Sequence, residues 1–158
     1  MVLFDGDILL TKAQRRSIMS EDGVYGYSAV EGGRWPDGII PYVIVDKTNT
    51  DNTTSNYKFK DFTEEQRKTI MDAIKLFNDS TCVKFVEREM HHEYYTKIVN
   101  ELQYDSTTKI WTEKACTSQV GRTYAAKFGI DHKSVYGISH QSVNLATNCL
   151  LKPGGLGM

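Results

Sequence analysis

Thr63-Glu64-Glu65-Gln66-Arg67-Lys68-Thr69-Ile70-Met71-Asp72-Ala73-Ile74-Lys75-Leu76-Phe77 is the stretch on which the fold turns. Thr63 with Gln66 three residues later is a capping-box pattern, in which each side chain satisfies the other residue's backbone N–H at a helix start. Ile70, Ala73, Ile74 and Phe77 fall at i, i+3, i+4 and i+7, one apolar face of an amphipathic helix. Asn78-Asp79-Ser80, rich in turn-favouring side chains, predicts its end. Before it, Ile39-Ile40-Pro41-Tyr42-Val43-Ile44-Val45 has the β-branched and aromatic content of a strand. Pro41 lacks an N–H, so it belongs near that strand's start or on an edge. After it, Cys82-Val83-Lys84-Phe85-Val86 alternates as a strand does, and Tyr94 to Val99, Trp111 to Thr123 and Gln141 to Leu145 supply further extended segments. Strand, helix, strand, strand predicts an α/β fold, α+β-like in its segregation: a small mixed twisted sheet backed by one long amphipathic helix.

The remaining sequence bounds the function. A chain of 158 residues, 40% hydrophobic and 25% charged, has room for one ordinary domain and the composition of a globular one. No apolar run approaches the roughly 18 residues of a membrane helix. Nineteen Lys and Arg against 20 Asp and Glu leave no basic field for a phosphate backbone. Neither nucleic acid nor membrane is an expected partner. Residues 1–33 are polar and Gly-dotted after the short patch Phe4-Asp5-Gly6-Asp7-Ile8-Leu9-Leu10, and read as an arm; Lys47 to Lys58 is a loop rich in Asn, Thr and Asp. The first residues lack the apolar stretch and cleavage site of a signal peptide. Asn52-Thr53-Thr54 and Asn78-Asp79-Ser80 are glycosylation acceptor patterns, relevant on a secretory route. The three cysteines, Cys82, Cys116 and Cys149, fit either one disulfide with a thiol to spare or three buried thiols.

Motifs that carry chemistry are sparse. His-Glu-x-x-His on a helix sets two imidazoles on one face to hold zinc. In His91-His92-Glu93-Tyr94-Tyr95-Thr96 the second imidazole is replaced by Thr96, and the Tyr-rich surroundings favour strand, so the pair reads as solvated histidines in a connection. His132 and His140 stand alone, and no phosphate-cradling loop or Gly-x-Ser-x-Gly elbow is present. The residues by themselves supply no complete catalytic constellation and no metal ligand set.

A family resemblance emerges from the order of the pieces. Arg34-Trp35-Pro36-Asp37-Gly38-Ile39-Ile40-Pro41-Tyr42-Val43-Ile44, the helix through Ile70 to Phe77, Thr81-Cys82-Val83-Lys84-Phe85-Val86-Glu87-Arg88, Cys116-Thr117-Ser118-Gln119-Val120-Gly121-Arg122, and Gln141-Ser142-Val143-Asn144-Leu145 before Cys149 follow one another as in the astacin family. The chain resembles the N-terminal half of an astacin-like zinc metalloendopeptidase, the N-terminal subdomain of a metzincin fold. Phe4-Asp5-Gly6-Asp7 is similar to the Phe-x-Gly-Asp motif in the propeptide of these zymogens.

The resemblance implies roles. In the family zinc is held by the histidines of His-Glu-x-x-His-x-x-Gly-x-x-His, a bound water attacks the peptide, and the propeptide aspartate takes the water's place. Asp7 is then the latency ligand, with Gly6 allowing close backbone approach and Phe4 completing the motif. Cys116 and Cys149 resemble a pair that forms a disulfide, and Cys82 resembles a cysteine whose partner lies near the end of the protease domain. Ser118, Gln119, Val120, Gly121, Arg122 and Thr123 are similar to an edge strand that binds extended peptide by main-chain hydrogen bonds. Arg15-Arg16 and Arg34 are the basic candidates for an activation cleavage. The implied organisation is a prosegment-like arm at 1–33, the N-terminal part of a peptidase domain at 34–152, and an unrelated tail at 153–158. That tail, Pro153-Gly154-Gly155-Leu156-Gly157-Met158, replaces the family's zinc helix, so the chain as written is expected to bind no zinc and cut no peptide. The expected reading is a truncated product of a secreted protease whose complete form uses zinc and takes peptide or protein substrates. The alternative is a non-catalytic secreted isoform that binds peptide or protein.

Overall fold

The computed structural model describes residues 2–4, 8–10, 35–46, 58–119 and 140–150. In chain order its elements are β1 (Val2–Phe4), β2 (Ile8–Leu10), β3 (Ile39–Ile44), β4 (Lys58–Phe59), α1 (Glu64–Ser80), β5 (Lys84–Glu87), β6 (Tyr95–Val99), β7 (Glu101–Asp105), β8 (Ile110–Glu113), β9 (Ser118–Gln119), β10 (His140–Asn144) and the single turn α2 (Thr147–Leu150).

β3, α1 and β5 form a crossover unit: two parallel strands in register from Ile39↔Lys84 to Tyr42↔Glu87, joined through the long helix. β6 pairs with the other side of β3 and β10 with the outer side of β6, giving a four-stranded sheet in the order β10-β6-β3-β5, parallel throughout. β3 is therefore interior, and Pro41 is accommodated because it lies near the start. The Arg88 N–H donates to the Tyr42 carbonyl, so Tyr42 turns its amide groups to β5 and Pro41 turns to the β6 side, where pairing begins one residue later at Tyr42↔Thr96. Ahead of β3, Asp37 and Gly38 adopt left-handed backbone (φ 55° and 69°). A Cβ on Gly38 would lie 3.2 Å from the Cys82 carbonyl oxygen, so glycine lets the entry to β3 pass close to the entry to β5.

One face of α1 packs on this sheet. Ile70 and Ile74 are buried with Tyr42, Ile44, Phe62, Ile98 and Leu150, and Phe85 and Leu145 pack against the cluster. Each buried isoleucine contributes roughly 2 kcal/mol by leaving water. Phe77 departs from the expected face: it is 42% exposed, because α1 by then passes over the sheet's edge, where Phe77 meets the ring of Phe85 at 5.8 Å. The helix ends at Ser80, within the expected Asn78-Asp79-Ser80, and Thr81 closes it by donating its N–H to the Phe77 carbonyl.

Antiparallel pairing is gathered in a second sheet, β4-β7-β8, whose hairpin runs in register from Leu102↔Glu113 to Asp105↔Ile110. The expected extended segment from Trp111 to Thr123 is broken: β8 ends at Glu113, and the chain resumes pairing at Thr117, which bridges Asn144. In a third sheet, β1 pairs antiparallel with β2, and β2 pairs in parallel with β9. Parallel and antiparallel strands thus coexist in an α/β fold with one main helix, as expected, but largely in separate sheets.

Candidate functional site

The strand expected to receive peptide is β9. Its register with β2 places Ile8 opposite Ser118 and Leu9 opposite Gln119, so the edge meets the N-terminal hairpin. In that hairpin Phe4 and Ile8 are register partners, flanking Asp5-Gly6-Asp7 in sequence. Gly6 and Asp7 lie outside the described residues, as do Val120, Gly121, Arg122 and Thr123, the basic candidates Arg15, Arg16 and Arg34, and Asn52 and His132.

The chain is delivered to β9 by one side chain, Asn144, 3% exposed. Its Nδ2 donates to the Ala115 carbonyl at 2.6 Å, its Oδ1 accepts the Glu101 N–H at 2.7 Å, and its backbone exchanges hydrogen bonds with Thr117 at 2.8 and 3.0 Å. With its donors and acceptors used, Asn144 ties β10, the start of β7 and the approach to β9 together; a buried amide so paired stabilises, whereas an unpaired one costs. Cys116 and Cys149 are disulfide-bonded, Cα to Cα 6.6 Å, fixing the same approach to α2. Cys82 is free and exposed.

Beside them Glu113 anchors the start of α2. Its carboxylate accepts from Lys60 Nζ at 2.5 Å, Thr147 Oγ1 at 2.7 Å, the Thr147 N–H at 2.8 Å and Asn100 Nδ2 at 3.3 Å. Burial alone would raise this carboxyl; the hydrogen bonds from Lys60, Thr147 and Asn100 outweigh it and hold it at about 2. Sequence reasoning assigns nothing to Asn144, Glu113 or Thr147. The available signal is Asn144 itself, an amide where a strand would ordinarily carry an apolar or β-branched residue.

Of the described histidines, His91 and His92 lie with ring centroids 4.0 Å apart, and His140 belongs to a different element. His91 is in a turn between β5 and β6, with the exposed Glu89 carboxylate 3.4 Å from its Nδ1, while the Glu89 N–H donates to His92 Nδ1 at 2.9 Å. His140 begins β10 beside the Tyr95 ring at 5.6 Å. Among the described residues no three His, Cys, Asp or Glu side chains converge where a metal ion could sit, so these residues do not fit a zinc centre. A separate cleft of ≈530 Å³ lies between β3 and the first turns of α1, lined by Tyr42, Glu64, Arg67, Met71, Glu87 and Arg88. Burial, then the Glu87 charge, raises the Tyr42 phenol, whose O–H donates to Met71 Sδ at 3.6 Å. Arg67 is ion-paired with Asp46 and Arg88 lies 3.7 Å over the Tyr95 ring, so both guanidinium groups of the cleft already have partners. No helix among the described residues is long and apolar enough to cross a membrane.

Comparison with known proteins bears on the same segments. Residues 29–133 match the peptidase family Astacin. Zinc metalloproteinase nas-39 of Caenorhabditis elegans is 33% identical over 61 residues, covering 39% of this chain and 5% of that protein's length.

Proposed function

From the premise that the chain belongs to the astacin family of zinc metalloendopeptidases, we propose that it supplies the N-terminal part of a secreted protease's catalytic domain together with a latency arm. The arm is residues 1–33 and the domain part is 34–152. The observation that carries the reading is the parallel pairing of β2 with β9. A strand edge that receives extended peptide cannot also hold another strand, so an arm paired there competes directly with substrate for the same N–H and C=O groups. Asp7 directly precedes β2 in sequence, which supports a role for it in latency beside the covered edge. The Cys116–Cys149 disulfide supports an oxidising, extracellular setting. The His-Glu-x-x-His pattern does not occur in the 158 residues, so this polypeptide alone is expected to be inactive, and catalysis belongs to a protein carrying the zinc ligands as well.

The test uses the full-length protein in a fluorogenic peptide assay. Deleting residues 1–10, or making Asp7→Ala, is expected to raise the activity of unprocessed protein by about tenfold or more, the scale on which groups around a metal centre act. Unchanged latency in both variants overturns the arm's role. A full-length protein that cuts no peptide with or without residues 1–10 overturns the protease reading and leaves peptide binding.

A further inference from the structure

We propose that the side-chain amide of Asn78 serves as a strand surrogate that closes the outer edge of the parallel sheet, and that this use keeps its acceptor triplet free of N-linked sugar. β5 is an edge strand of that sheet. Arg88 N–H bonds inward to Tyr42, and alternation along a parallel strand then turns Phe85 outward. Its N–H and C=O are thus the pair that an edge leaves open to another strand. Asn78 takes both: the Phe85 N–H donates to Asn78 Oδ1 at 2.7 Å, and Asn78 Nδ2 donates to the Phe85 carbonyl at 3.0 Å. The clasp is reinforced from the strand side, where Lys84 Nζ donates to the Asn78 and Thr81 carbonyls at the end of α1. Asp79, between the acceptor and Ser80, is engaged by Lys75 one turn back.

The geometry excludes a sugar. Two bonds to the N–H and C=O of a single residue use Oδ1 and the amide hydrogen on the same side as Oδ1. A glycosylated asparagine is a secondary amide, which prefers the trans form as a peptide bond does, and trans places the sugar where that hydrogen was. Clasp and glycan are therefore alternatives. Asn78-Asp79-Ser80 reads as an acceptor in the unfolded chain and is withdrawn by folding.

The glycan part rests on the secreted reading, so the test fixes that condition by sending the full-length protein through a eukaryotic secretory route behind a host leader. Peptide mapping is expected to find Asn78 unmodified in folded, secreted protein and occupied in chain kept unfolded by Ile70→Asp with Ile74→Asp, two charges placed in the core. Amide hydrogen exchange at Phe85 is expected to be slow in wild type and in Ser80→Ala, which removes the acceptor triplet but keeps the clasp. In Asn78→Ala it should accelerate on the order of tenfold, the loss of one or two net hydrogen bonds. Sugar on Asn78 of folded protein, or Asn78 empty even in the unfolded pool, overturns the glycan half. Equal protection of Phe85 in wild type and Asn78→Ala overturns the clasp. The wild-type measurements need no variant to fold: an unprotected Phe85 amide in wild type overturns the clasp by itself.

Discussion

Glu113 shows how one carboxylate can organise three elements. Its side chain is 23% exposed and touches Lys60 before α1, Asn100 between β6 and β7, and Thr147 at the first residue of α2. A carboxyl held at about 2 against an ordinary 4.5 is bound more tightly as an anion in the folded than in the unfolded state. Its stabilising contribution is therefore fully present above about pH 4.5 and is lost as pH falls from there toward 2. Solvent screening of the exposed Lys60 reduces the whole effect to ~2 kcal/mol. Glu113→Gln is expected to lower the melting temperature at pH 7 and to match wild type near pH 2. Thermal unfolding at several pH values checks this, and a difference that persists unchanged at low pH removes the charge from the account. The Lys114–Glu101 ion pair, N to O 2.5 Å with the two side chains 36% and 17% exposed, joins the residue after β8 to the start of β7.

Elements differ in how openly the sequence announces them. α1 is announced twice over, by its capping box and by its period: the Gln66 N–H donates to Thr63 Oγ1 at 3.2 Å, the Thr63 N–H donates to Gln66 Oε1 at 2.9 Å, and Ile70 and Ile74 face the core. Thr63→Ala is expected to cost about 1 kcal/mol. For a domain of this size that is a fall of about 2–4 °C in melting temperature. Combining it with Gln66→Ala should cost less than the two single changes added, because the bonds are reciprocal; additive losses would show that the box is not acting as a unit. The helix's far end falls where Asn78-Asp79-Ser80 announces it, but the use of Asn78 there is hidden: its side chain bonds the backbone of Phe85 in β5, a partner that local pattern cannot reveal. The β7–β8 hairpin is hidden for a related reason. Its alternation is short, and the turn Asp105-Ser106-Thr107-Thr108-Lys109 is set by Asp105 accepting from the Thr107 N–H at 2.8 Å and the Thr108 hydroxyl at 2.8 Å, with Lys109 at φ 60°. Those bonds lower the Asp105 carboxyl. The cue lies in the turn-rich composition between Leu102-Gln103-Tyr104 and Ile110-Trp111, where Tyr104 and Trp111 become cross-strand partners.

At the scale of the whole molecule, the parallel sheet and its helix form one body, and the β9 edge is attached to it at a few points far apart in sequence. Those points are the Thr117–Asn144 bridge, the Asn144 amide and the Cys116–Cys149 bond across 33 residues. Such long-range attachments are what a single sequence hides. The resemblance points to the strand and the cysteine pair and includes Asn144 only as one residue of Gln141-Ser142-Val143-Asn144-Leu145, with no sign of the hydrogen bonds its side chain makes to Ala115 and Glu101. A loop of that length closed in the unfolded chain is worth roughly 3–4 kcal/mol of loop entropy, so replacing both cysteines by serine is expected to lower stability by that order. The loss should also be uneven. The Thr117 and Asn144 amides, which bond across the bridge, are expected to lose more protection in the double variant than the global fall in stability accounts for, while the Val45 amide, bonded to the Ile98 carbonyl within the parallel sheet, loses only that global amount. Hydrogen exchange followed residue by residue separates the outcomes. Extra loss at Thr117 and Asn144 makes the disulfide a clamp on the peptide edge. A uniform loss that includes Val45 makes it a constraint on the unfolded chain alone and leaves the edge held by Asn144.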